Sequence, residues 1–489
     1  MATLVKSWID SVIKQDEIDK YLINGKDFID DDLIREKISL NKNPDRLRVK
    51  DIFAKSFDLQ RLDPDETAAL LNIEDKELLS EMYETGLKIK HKVYGRRIVT
   101  FAPLYCSNHC VNNCLYCGFR AANSKERRRR LTLEEIRKET EALVKTGHKR
   151  LILVYGEHPE SDVDYMADTI RTVYETKIDN GEIRRVNINA APLNIEKYKK
   201  LHDVGIGTFQ VFQETYSHDR YRTVHPSGIK SNYRWRLYAL HRAMEGGIDD
   251  VGMGALFGLY DWKFEVMGLL YHTIDFENRF GGIGPHTISF PRIEPASEIK
   301  LPDAEKYVVS DFEFKRLVAV LRLSVPYTGM IITAREKPQI RREIINVGCT
   351  QGDASSRIGI GAYSEDKSGE HQDLEKQQFQ LGDTRTLDDF IADMAEEGYI
   401  TSFCTAGYRC GRTGEVFMGA AKCGKVNAFC MPNAVLTFKE YLLDYAGENT
   451  IKKGNRLLQQ EIDMLPENIR PKINEYLKRL EKGERDLRV

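Results

Sequence analysis

The chain has 489 residues, 41% of them hydrophobic and 30% charged. That is the balance of a folded globular protein with room for two or three domains, and it excludes fibrous and disordered classes. Lys and Arg number 73 against 75 Asp and Glu, so the net charge of -2 gives no electrostatic reason to expect nucleic acid as a partner. Charged residues between Lys6 and Asp19 interrupt any apolar signal core, and no apolar stretch is long enough to span a bilayer. No membrane association and a cytoplasmic location are therefore expected. Nine cysteines without a secretion signal point to metal or thiol chemistry and away from disulfides.

In chain order, residues 7–93 carry helical periodicity. The clearest segment is 64–87, with Leu70, Leu71, Leu78, Leu79 and Met82 on one face. Its start is marked by Asp63 as cap, Pro64 in the first turn and Glu66 where a capping box wants it. After Gly95 short apolar runs alternate with amphipathic stretches. Strands are expected at 97–101, 150–155, 185–190, 208–213, 250–256, 286–291 and 330–333, with an eighth at 344–349 or 357–360. Helices are expected between them at 133–146, 232–245 and 262–274. Eight such units predict an α/β fold, a closed (β/α)8 barrel of the TIM type. The basic run Arg127 to Arg130 reads as a solvated loop face. Residues 365–380 read as a polar linker, and helices are expected at 387–397 and 436–445. The expected domains are a helical N-terminal extension (1–95), the barrel (96–362) and a helical C-terminal subdomain (363–489).

Cys110, Cys114 and Cys117 form a CX3CX2C loop just after the first strand. Three soft thiolates on one loop suit a 4Fe-4S cluster whose fourth iron stays open, and S-adenosylmethionine (SAM) can chelate there. The rival is a non-catalytic metal-binding module, but a structural zinc site wants four Cys or His ligands. Tyr116 beside the last cysteine is a candidate cofactor contact. Cys106 is expected in the core and His109 in the loop. Glu157, in a Gly-Glu pair after the second strand, would accept a hydrogen bond from the cofactor's amino group.

These residues, with 101–105, 154–159, 212–216, 247–252 and 285–289, resemble the aromatic amino-acid lyase group of radical SAM enzymes. Within it the likeness is greatest to the tyrosine-cleaving FeFe-hydrogenase maturases, and next to the 2-iminoacetate synthases of thiazole biosynthesis. The resemblance implies that L-tyrosine is cleaved at Cα-Cβ into p-cresol and dehydroglycine, with an electron donor such as ferredoxin or flavodoxin. Maturases turn dehydroglycine into carbon monoxide and cyanide at a second cluster, whereas the synthases release it; hydrogenase-maturation or thiazole-synthesis proteins are the implied partners. Gln213 and Glu214 are expected on the cofactor ribose and Arg292 on a carboxylate, with Tyr221, His225 and Arg236 as lesser candidates.

The maturase pattern for the second iron-sulfur cluster is CX2CX22C. Here Cys404 and Cys430 stand at its ends and Gly407 at its middle position. Glycine cannot ligate iron, so that cluster is expected to lose a ligand or to recruit Cys410 or Cys423. His272, at a helix end, and His286, at a strand start, are expected near the barrel bottom as candidates for the histidine that maturases use on the second cluster.

Overall fold

The computed structural model describes residues 2–299, 301–365 and 372–489. Eight parallel strands close on themselves: β1 (Arg97–Ser107), β2 (Arg150–Tyr155), β3 (Arg185–Asn189), β4 (Phe209–Gln210), β5 (Val251–Gly254), β6 (Thr287–Ser289), β7 (Gly329–Ile332) and β8 (Gln351–Asp353). Closure is made by β8 on β1, with Val99, Thr100 and Phe101 opposite Gln351, Gly352 and Asp353. The eighth strand is thus neither of the expected segments. Residues 344 and 345 end a helix that begins at Pro338, and 357–360 form a loop above the barrel. The sequence Gln351-Gly352-Asp353 has no apolar run to betray it, because its neighbours supply the burial.

The expected 64–87 helix is two, Pro64–Leu71 and Lys76–Tyr94, broken where Asp75 accepts from the N–H groups of Glu77 and Leu78 and caps the second. The capping box of Asp63 with Glu66 is present. Likewise 232–245 divides into Tyr233–Leu237 and Ala239–Glu245, while the helix begun at Trp262 runs on to Arg279. The N-terminal helices pack against Trp262–Arg279 and Asp311–Ser324 on one flank of the barrel.

A ninth strand, β9 (Ile400–Ser402), comes from beyond the barrel and pairs in parallel with Arg97, Ile98 and Val99 of β1. Since Val99 also pairs with β8, β9 occupies the opposite edge of β1, below the point where β2 joins it at Ala102. It therefore delivers the residues after Ser402 to the lower mouth of the barrel. Helix Val426–Asp444 packs on β9, and its Glu440 takes Arg184 (2.6 and 3.1 Å) and Lys149 (2.9 Å) in a buried ion cluster at the starts of β2 and β3. Part of the 365–380 linker, residues 366–371, lies outside the described residues.

Candidate active site

The carboxyl ends of the strands surround a cavity of about 230 Å³, where catalytic residues of this architecture gather. Cys110, Cys114 and Cys117 all line it, carried on the loop that leaves β1. The three sulfurs are not all within 4.8 Å of one another, so among the described residues they do not close around a single ion. Among the described residues no fourth cysteine and no histidine lines the cavity. Amide donors face two of the sulfurs: Asn112 Nδ2 lies 3.7 Å from Cys110 Sγ and Gln378 Nε2 lies 3.4 Å from Cys117 Sγ. Three thiols spread around a cavity, with N–H groups aimed at sulfur and one coordination position left to a ligand, fit a site-differentiated 4Fe-4S cluster and do not fit structural zinc.

The basic run is solvated only in part: Arg127 and Arg130 are exposed, whereas Arg128 and Arg129 are half-buried. Arg128 donates to the carbonyls of Asn108 (2.8 Å), Phe119 (2.7 Å), Arg120 (2.5 Å) and Asn123 (3.3 Å), and so clasps the cysteine loop from outside. Its neighbour Arg129 pairs with Glu135 and Glu365, and Arg130 covers the ring of Tyr165. His109 is held by Glu160 at 2.8 Å, and Cys106 is fully buried in the core.

Glu157 is buried in the cavity wall. Asn112 Nδ2 donates to its Oε2, while Oε1 has no protein partner. Burial pushes its carboxyl up, against the opposing pull of Asn112, Arg236 and Lys230. A buried acceptor with one open oxygen is what a cationic amino group would complete. Glu214, in the left-handed region at φ 71°, receives Lys230 (2.7 Å) and Arg236 (3.2 Å). Burial alone would raise its carboxyl, but those two cations outweigh it and hold it below the ordinary value. Tyr116 lines the cavity and its hydroxyl lies 2.7 Å from His225 Nε2. His225 Nδ1 faces the carbonyl of Tyr221 at 2.9 Å, so Nδ1 carries the proton and Nε2 accepts from Tyr116.

Other expectations are corrected. Arg292 does not face the cavity: its guanidinium is forked onto Glu336, with a further ion pair to Asp311 at 2.8 Å, and it is spent on protein carboxylates. Gln213 is buried but is absent from the cavity wall, whereas Glu214 beside it reaches it. The residue that sequence reading missed is Arg335. It is half-buried in the cavity wall, its guanidinium lies 3.3 Å from the ring centre of Phe379, and it donates to the carbonyl of Arg292 at 3.3 Å. Its position two residues after Thr333, at the end of a strand, was the available signal.

At the lower mouth, Cys404 follows β9 and shares a small pocket of about 20 Å³ with Cys430, Gly407 and Arg97. Burial would raise the Cys404 thiol, yet Arg185, Arg97 and Arg150 outweigh it and hold it below its ordinary value. Cys410 and Cys423 are exposed and outside this pocket, so neither stands in for the missing middle ligand. The donor set of two thiols does not fit a three-cysteine cluster. His286 is at the lower mouth, 3.3 Å from Asp250 and against the ring of Phe417. His272 is not at a helix end. It lies within Trp262–Arg279, buried, with Nδ1 2.8 Å from the Tyr216 hydroxyl and its ring stacked on His241.

A closed eight-stranded parallel barrel with three cluster-disposed thiols at its upper mouth defines a radical SAM enzyme, and such enzymes work with a 4Fe-4S cluster and SAM. The Radical SAM superfamily model matches residues 104–268, and that of the Biotin and Thiamin Synthesis associated domain matches 289–400. The solved structure of HydG, a maturase of the [FeFe]-hydrogenase, shares 48% identity over 95% of this chain and all of its own, with a TM-score of 0.90. HydG from Carboxydothermus hydrogenoformans shares 37% over 96% of this chain and all of its own, with a TM-score of 0.78. The 2-iminoacetate synthase of Salmonella typhimurium shares 28% over 70% of this chain and 87% of its own length. The chain belongs to the HydG family of radical SAM carbon-carbon lyases.

Proposed function

We propose that the chain is a tyrosine lyase that cleaves L-tyrosine between Cα and Cβ and releases the two-carbon fragment, dehydroglycine, intact. Support comes from the likeness to HydG over nearly the whole chain and from a cavity that pairs an open carboxylate acceptor with an undercommitted guanidinium. When bound, the cluster and SAM supply a 5'-deoxyadenosyl radical, by one-electron cleavage of the sulfonium, that takes a hydrogen atom from the substrate's amino group.

The chain's own residues would divide the remaining work. Cys110, Cys114 and Cys117 would hold the cluster. Glu157 Oε1 would accept from the SAM ammonium, and Glu214, fixed by Lys230 and Arg236, would orient the same cofactor. Arg335 would take the tyrosine carboxylate in a charge-assisted, forked bond. Phe212, Leu256 and Phe379 would exclude water around the aromatic ring, and the buried Phe101, Ile152 and Ile331 form one apolar layer across the barrel beneath it. Tyr116, held by His225, would stay a phenol, because burial pushes its ionisation well up. A low-potential donor of the ferredoxin or flavodoxin type would deliver one electron for cleavage of SAM and a second, taken up with a proton, to turn the benzylic radical left by Cα-Cβ cleavage into p-cresol.

The single observation that carries the fate of dehydroglycine is Gly407 in the Cys404–Cys430 pocket. With two thiols there, the carbon monoxide and cyanide chemistry of maturases has no three-cysteine centre, and the imine would leave and hydrolyse to glyoxylate and ammonia. Anaerobic turnover of the cluster-loaded chain with SAM, dithionite and tyrosine tests this. p-Cresol and glyoxylate in equal amounts, without carbon monoxide, are expected; SAM cleavage without p-cresol would reject the substrate, and carbon monoxide equal to p-cresol would reject the fate.

A further inference from the structure

The chain that follows the barrel returns across its upper mouth as a strap and is pinned there by its backbone. Arg127 N–H donates to Glu375 O (3.1 Å), Gly118 N–H to Gln378 O (3.3 Å) and Gln380 N–H to Pro295 O (2.8 Å). The strap presses so close at Cys117-Gly118 that a Cβ on Gly118 would lie 2.8 Å from the Gln378 carbonyl. At its centre the Gln378 side chain makes two contacts of opposite polarity. Tyr105 donates its hydroxyl to Gln378 Oε1 (3.0 Å), and Gln378 Nε2 lies 3.4 Å from Cys117 Sγ. The sulfur decides which way round the amide sits: a cluster-bound thiolate can only accept, so it takes the NH2 group, and the amide oxygen is left to the Tyr105 hydroxyl, which can donate. The next residue, Phe379, carries the ring on which Arg335 stacks.

We propose that Gln378 is a positioning residue for electron entry: it donates a hydrogen bond to the Cys117 thiolate, makes the cluster easier to reduce, and links that bond through Phe379 to substrate held at Arg335. The physical basis is that an N–H donor at a ligand sulfur withdraws charge and favours the reduced cluster, a standard lever on iron-sulfur potentials. Occupation of Arg335 by a carboxylate would draw the guanidinium off or onto the Phe379 ring, and the amide one residue away would move with it. The inference rests on the cluster assignment and, for its second half, on the substrate reading above.

The test is the midpoint potential of the cluster-loaded, SAM-bound protein, followed by electron paramagnetic resonance with and without tyrosine. Gln378→Glu keeps the length of the side chain and an oxygen for Tyr105 but removes the donor; Gln378→Leu removes both contacts. Both variants are expected to bind the native amount of iron and to have a more negative potential than the native chain. Tyrosine is expected to move the native potential and to leave the variants' potentials in place. Native potentials in both variants overturn the hydrogen-bond role, and a tyrosine-induced shift that persists in them overturns the link to substrate. Failure of the native chain to make p-cresol, with a lowered potential in both variants, would sink the tyrosine reading and leave the role of Gln378 at the sulfur standing.

Discussion

The two mouths of the barrel each gather sulfur and charge away from water, but they are completed differently. Above, three thiols line one cavity, and the buried carboxylates of Glu157 and Glu214 are balanced by Asn112, Lys230 and Arg236. Below, two thiols meet three buried arginines, Arg97, Arg150 and Arg185, and Gly407 fills the place of a third sulfur. Both ends also use strained backbone: Glu214 above and Cys404 below have φ of 71° and 50°, a conformation that surrounding structure must hold in place. The upper mouth therefore has the donor set its chemistry needs, whereas the lower keeps the scaffold of a second centre without its full ligand set. On the function proposed above, initiation and product handling would be separable, and the lower end is where the chain departs from a maturase pattern.

The sharpest way to break this comparison is at the upper mouth. Cys114→Ala leaves two thiols there, the number present below, and is expected to drop SAM cleavage to background, measured as 5'-deoxyadenosine formed under dithionite. Retained cleavage would show that two thiols suffice and that the contrast between the mouths has no chemical meaning.

The next largest effect concerns what holds the lower mouth on. Glu440 is buried between Arg184 and Lys149. Burial would raise its carboxyl, but Lys149 and Arg184 outweigh this and bring it down to about 2. Because its folded pKa is depressed, its contribution is complete above the ordinary carboxylate range and is lost as pH falls towards about 2. Glu440→Gln leaves the buried Lys149 without its carboxylate and Arg184 with only the longer pairs to Glu182 and Asp486, which costs roughly 3–5 kcal/mol. Denaturant unfolding at neutral pH should show that loss, and the gap between native and variant should narrow on acidification. A variant as stable as the native chain at pH 7 would remove this anchor from the account.

A smaller effect is expected at Arg335. Loss of a charge-assisted bond to the substrate carboxylate costs about 1.5–3 kcal/mol, a fall in kcat/KM of roughly ten- to a hundredfold for Arg335→Met. The loss should appear for p-cresol formation, with SAM cleavage in the absence of tyrosine unchanged. The same variant of Arg292, forked onto Glu336, is expected to alter stability and not KM.

How far these features were legible differs along the chain. Cys110, Cys114 and Cys117 and seven of the barrel strands could be read because ligand spacing and apolar runs are local signals. The eighth strand, Gln351–Asp353, has no such run, and its identity depends on β1 and β7 on either side. Arg292 and Arg335 look alike in sequence; Glu336 captures one and leaves the other facing the cavity, and only the fold decides that. Gln378 sits in a polar linker whose sequence carries no motif, and its meaning appears only where the strap crosses Cys117. Below, the spacing of Cys404, Gly407 and Cys430 was legible, but the exposure of Cys410 and Cys423 was not, because each lies at a helix end whose orientation is set by tertiary packing.

The comparison is sharpened most by a change expected to leave the upper mouth untouched. A Cβ built on Gly407 meets nothing nearer than the Arg412 carbonyl at 3.6 Å, which is ordinary contact, so a cysteine is sterically admissible there. Gly407 is also the second residue of the short helix Ala406–Arg409, where replacing glycine favours the helical backbone. Gly407→Cys would give the pocket three thiols, in a chamber where Arg97, Arg150 and Arg185 already favour negative sulfur. After anaerobic reconstitution the variant should bind more iron per chain than the native protein, with a second reduced-cluster signal in its spectrum, while p-cresol formation stays at the native rate. If the native chain already holds the iron of two full clusters, the pocket recruits a ligand other than cysteine and the lower mouth is complete after all. If the variant gains iron but loses p-cresol, the two mouths are coupled, and the separation of initiation from product handling fails.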